Sequence, residues 1–76
     1  MKKKDIEEIL ISVNPNIKNY INKDINLVDN GILDSFDIMN FLVLVEKKSK
    51  KKINFGSVSR ETFYNIDTIV KFFNKI

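Results

Sequence analysis

Gly31-Ile32-Leu33-Asp34-Ser35-Phe36-Asp37 is the stretch of this chain best suited to chemistry. It sets an Asp-Ser pair between a glycine turn and a long apolar segment that reads as a helix. The hydroxyl of Ser35 then stands at a helix N-terminus. Backbone N–H groups there lack intrahelical partners and the helix dipole is positive, so a phosphate is welcome. Two readings of Ser35 follow: a helix cap, since serine is favoured at that position, or a site of covalent modification.

The rest of the composition offers no competing chemistry. The chain has no cysteine and no histidine. A disulfide, a thiolate metal site, the commonest metal ligand and the commonest general base are therefore absent. No catalytic residue and no metal ligand is expected. At 76 residues, with 43% hydrophobic and 30% charged side chains, the sequence suits one globular domain over residues 1–76. No apolar run reaches the roughly 18–20 residues of a membrane span. The basic start Met1-Lys2-Lys3-Lys4 is followed by Asp5, Glu7 and Glu8, unlike a secretory signal. A cytoplasmic location and a monomeric state are the expectations.

Positioning of Ser35 falls to the elements around it. Ile6, Ile9, Leu10 and Val13 recur at i, i+3, i+4, i+7, which predicts a helix from about Lys3 to Val13. Asn14-Pro15 ends it, because the residue before proline disfavours the α region. Residues 14 to 34 make a long connection, with one helical turn around Ile17, Tyr20 and Ile21. Leu27, Val28, Ile32 and Leu33 are its apolar anchors, and Gly31 suits a turn of positive φ. A second helix runs from Ser35 to about Ser49, capped by Asp34 or Ser35, with Asp37 in its first turn. Ile38, Phe41, Leu42 and Val45 share one side of it. Ser35, Phe36, Met39 and Val43 share another, which a domain this small has little core to cover. Ser57 or Ser59 caps a short helix through Phe63 and Tyr64. Asn65 caps the last, where Ile66, Ile69, Val70 and Phe73 repeat the helical spacing. The fold class is all-α: a small four-helix bundle of three main helices and one short helix, with a long first loop.

The net charge of +3 owes most to Lys47, Lys48, Lys50, Lys51 and Lys52. Such a run suits phosphates or an anionic surface, and equally a solvated helix end at the negative pole of the dipole. One alternative function is thus a small basic helical nucleic-acid-binding domain. Against it, the second helix is too apolar for a recognition helix, and Arg60 is the only arginine for reading bases.

Asp34-Ser35-Phe36, the preceding Leu27-Val28-Asp29-Asn30-Gly31-Ile32-Leu33, the chain length and the helix order together resemble the acyl carrier protein family. The likeness is greatest to D-alanyl and peptidyl carriers and to stand-alone carriers of specialised pathways. The resemblance implies that Ser35 receives a 4′-phosphopantetheine group, whose thiol holds an acyl or aminoacyl cargo as a thioester. It implies a role for Asp34 in capping and in presenting the serine. Phe36, Asp37, Met39, Val43 and Glu46 would dock partner enzymes. Those partners would be a phosphopantetheinyl transferase, a cargo-loading adenylating ligase or acyltransferase, and downstream acyl-accepting or chain-extending enzymes. No nucleic-acid partner is implied, and the carrier itself is no enzyme. Asn40 and Lys47 stand where the family commonly has acids, and Ser49 and Lys50 where it often has an apolar residue and glycine. These departures point to a dedicated pathway with its own matched enzymes. An unmodified carrier-like interaction module is a further alternative.

Overall fold

The computed structural model describes residues 1–74 and is all-helical over them. Helix α1 spans Lys3–Val13 and buries Ile6, Ile9 and Leu10. The Asp5 carboxylate accepts the Lys2 backbone N–H at 3.3 Å, satisfying one orphan donor of the first turn. Asn14 leaves the helix in an extended conformation, and Pro15 opens a 3₁₀ turn over Pro15–Asn19 that buries Ile17. This is the helical turn expected inside the long connection.

Helix α2 spans Ser35–Ser49 and buries Phe41, Leu42 and Val45. It stops at Lys50, which takes a left-handed conformation at φ 58°. Such a residue ends a helix at some cost unless it is glycine. The chain beyond it is held by Glu46, whose carboxylate accepts the Ile53 N–H at 2.7 Å.

Where a short fourth helix was expected, two 3₁₀ turns stand, Phe55–Ser57 and Arg60–Phe63. Asn65 must be extended to cap the next helix, at φ −151°. Only a few residues then remain between Ser59 and Asn65, too few to propagate an α-helical ladder. Ser59 occupies the N-cap position but makes no side-chain cap bond to the backbone. Helix α3 spans Ile66–Phe73, and the Asn65 side chain accepts the Thr68 N–H at 2.9 Å.

The core gathers the apolar faces of these elements. Phe41 of α2 meets Phe63 and Phe73 edge-on, with ring centroids 5.7 and 5.3 Å apart. Such edge-to-face pairs add to the burial term. Leu27 and Leu33 of the long connection are buried in the same cluster, while Val28 and Ile32 pack against it. The connection is thus tied down on both sides of its glycine turn, which fixes where α2 begins.

Candidate functional site

The start of α2 is built by interlocking side chains. Asp34 caps the helix, its carboxylate accepting the Asp37 N–H at 2.8 Å. Asp37 returns the contact to the Asp34 N–H at 3.5 Å. Of the two candidate caps, then, Asp34 does the capping, and Ser35 is the first residue of the helix proper. The serine hydroxyl is left free of that role, and the residue is exposed. Its backbone N–H and that of Phe36 lie in the first turn, where no helical carbonyl reaches them.

Hydrogen bonds and a glycine turn hold the approach to Ser35. Asn26 folds the chain by accepting the N–H groups of Val28 and Asp29 at 3.1 and 2.9 Å. Gly31 then turns at φ +71°, a conformation that side chains other than glycine's adopt only with strain. Leu27 donates its N–H to the Tyr64 carbonyl at 2.7 Å, fastening the loop to the segment before α3. Asn14 works from the other side. Its amide donates to the Ile32 carbonyl at 2.8 Å and to the Asp37 carboxylate at 3.4 Å. In sequence Asn14 reads only as a helix terminator; its place before a proline gives no sign of this long-range role.

Beside Ser35 lies a cleft of about 550 Å³ between α2, the glycine loop and the two 3₁₀ turns. Leu33, Ile38, Leu42, Phe55, Val58 and Phe63 make its walls largely apolar, with Asp34, Ser35 and Arg60 also among the lining residues. Arg60 pairs with Asp29 at 3.0 Å, linking the loop before Ser35 to the turn Arg60–Phe63. Arg60 has no periodicity or motif that marks it in the sequence.

The expected contact residues divide into two groups. Phe36, Met39 and Val43 are exposed by 73%, 49% and 39%, so the second apolar side of α2 does face outward. Asp37 and Glu46 are half-buried and engaged within the chain, Asp37 in the cap and Glu46 on the Ile53 N–H. Lys48 is paired with Asp5 of α1 at 3.3 Å, while Lys47, Lys50, Lys51 and Lys52 are exposed. Lys47 stands 12 residues beyond Ser35, about 18 Å along the helix axis. The hydrogen bond from Lys2 and the ammonium of Lys48 hold the Asp5 carboxyl below its ordinary pKa.

No group of three or more potential metal ligands occurs among the described residues, and no helix there is long and apolar enough to cross a membrane. Comparison of the chain with models of known families, with curated proteins and with solved structures finds no match.

Proposed function

We propose that this protein is an acyl or aminoacyl carrier, modified on Ser35 with 4′-phosphopantetheine, that delivers cargo to enzymes of a dedicated biosynthetic pathway. The observation that carries the reading is the division of labour at the start of α2. Asp34 takes the cap, so the adjoining serine hydroxyl stays exposed at the positive end of a 15-residue helix. A cap serine would have its oxygen occupied by a backbone N–H.

The residues present fit the group. The first-turn N–H groups and the helix dipole favour a phosphodiester at this position. The largely apolar cleft beside Ser35 is large enough to receive part of a flexible arm or its cargo. When attached, the arm supplies the thiol that a chain without cysteine lacks. Ser35 Oγ would bond to the phosphorus that carries pantetheine in coenzyme A. The bond from that phosphorus to the adenosine-bearing phosphate breaks, adenosine bisphosphate leaves, and the serine proton passes to the transferase or to solvent. Phe36, Met39 and Val43 give an enzyme an apolar surface on which to seat next to the serine. Tethering the cargo turns a bimolecular encounter into a local one and raises its effective concentration at each partner.

Incubation with coenzyme A and a broad-specificity phosphopantetheinyl transferase, followed by intact mass measurement, tests the reading. The wild type should gain one phosphopantetheinyl group and Ser35→Ala none. An unchanged wild type, or equal gain by Ser35→Ala, would sink it.

A further inference from the structure

We infer that Arg60 is the anion-binding residue of the cleft beside Ser35, exchanging the Asp29 carboxylate for the phosphodiester formed on the serine. The inference rests on the carrier reading above and goes beyond it by naming the residue that holds the first group of the arm.

Four observations converge on Arg60. It lines the same cleft as Ser35, and no lysine lines that cleft. It is the only arginine of the chain. Its present partner holds it loosely: the Arg60 and Asp29 side chains are 62% and 57% exposed, and exposed pairs of this kind contribute little. The site also has a charge problem that Arg60 is placed to relieve. Asp34 shares the cleft, and Asp37 stands in the same first turn. A phosphodiester on Ser35 adds a further negative charge beside these carboxylates. The helix dipole offsets part of that repulsion and a guanidinium offsets more, because its planar fork matches two phosphate oxygens at once.

The geometry gives the exchange a consequence. Asp29 belongs to the loop before Ser35, and Arg60 opens the turn Arg60–Phe63, which also lines the cleft. While Arg60 binds Asp29, it closes loop to turn. Once it binds the phosphodiester, this pair no longer joins loop to turn, and Asp29 is released to solvent.

A lone arginine gives a single guanidinium Nε–H signal in a proton–nitrogen NMR spectrum, which makes the exchange directly readable. The probe is the whole chain before and after transfer from coenzyme A, as wild type and as Asp29→Asn, with completeness followed by intact mass. Before modification, Asp29→Asn should move the Arg60 signal, since it removes the partner. Modification of the wild type should move the signal too. After modification, wild type and Asp29→Asn should give coincident signals. As a second readout, the melting temperature gained on modification should be larger in the wild type than in Arg60→Gln, by about 2–4 °C in a domain of this length. Full mass gain with an unmoved Arg60 signal, or a signal that still depends on Asp29 after modification, overturns the role of Arg60 and leaves the carrier reading standing. Absence of any mass gain in the wild type overturns both.

Discussion

Helix α2 carries two apolar faces, and the structure assigns them opposite duties. Phe41 is fully buried, and Phe36 is 73% exposed. The same substitution at the two positions should therefore have very different costs. Phe41→Ala removes a ring that meets both Phe63 and Phe73 edge-on, and a core loss of this type costs about 3–5 kcal/mol. A domain of 76 residues has roughly 4–11 kcal/mol of total stability, so that variant should lose from about a quarter to all of it. Phe36→Ala removes a ring that is mostly in water already, and alanine is the better helix former by about 0.5 kcal/mol. Its stability should change by no more than about 0.5 kcal/mol, within about 4 °C of melting temperature. Urea unfolding of both variants, followed by far-ultraviolet circular dichroism, gives the comparison. A loss above about 2 kcal/mol in Phe36→Ala would mean that the outer face is core and not contact surface. That result would refute the assignment of the Phe36, Met39 and Val43 stripe as free to meet a partner.

Other perturbations probe how the serine is positioned. Asp34→Ala removes the α2 cap and should lower stability by about 1 kcal/mol, whereas Asp34→Asn, which keeps an acceptor oxygen, should retain most of it; urea midpoints separate the two. Asn14→Ala removes the amide that donates to the Ile32 carbonyl and to the Asp37 carboxylate. It should cost about 1–2 kcal/mol and speed amide hydrogen exchange across residues 26–34 more than across α3. The Asp5 carboxyl, held below its ordinary value by the Lys2 N–H and by Lys48, favours the folded state whenever it is ionised there. That contribution is fully present above the unfolded-state pKa, near 3.8, and is lost as pH falls through the lower folded-state value. Urea midpoints of wild type and Asp5→Asn should differ at neutral pH, with the gap shrinking once pH falls below about 3.8 and closing below the lower folded-state value; a gap that stays constant down to the lowest pH would contradict this origin.

Most of the helical framework is legible in the sequence, because its signals are local. The i, i+3, i+4, i+7 spacing of Ile6, Ile9, Leu10 and Val13 and the Asn14-Pro15 stop together define α1. Asn65 before Ile66 marks the start of α3 in the same way. The outward apolar stripe of α2 follows from the limited core of a small chain. What the sequence hides is set by contacts between distant residues. Asp34 and Ser35 are both good caps, and only the reciprocal bonds with Asp37 decide between them. Ser57 and Ser59 offer caps for a short helix through Phe63 and Tyr64, yet the extended cap at Asn65 confines the segment to 3₁₀ turns. Glu46 looks like a surface acid by position and instead holds the Ile53 N–H. Arg60 meets Asp29 across 31 positions of chain, a pairing that no local pattern announces.

The most direct test of the central claim is a fragment mass spectrum of the folded protein after treatment with coenzyme A and a phosphopantetheinyl transferase. A carrier built around the Asp34-capped helix predicts one phosphopantetheinyl group, on the fragment holding Ser35 and on no other serine. A wild-type chain that stays unmodified, or one modified at Ser12, Ser49, Ser57 or Ser59 instead, would contradict it.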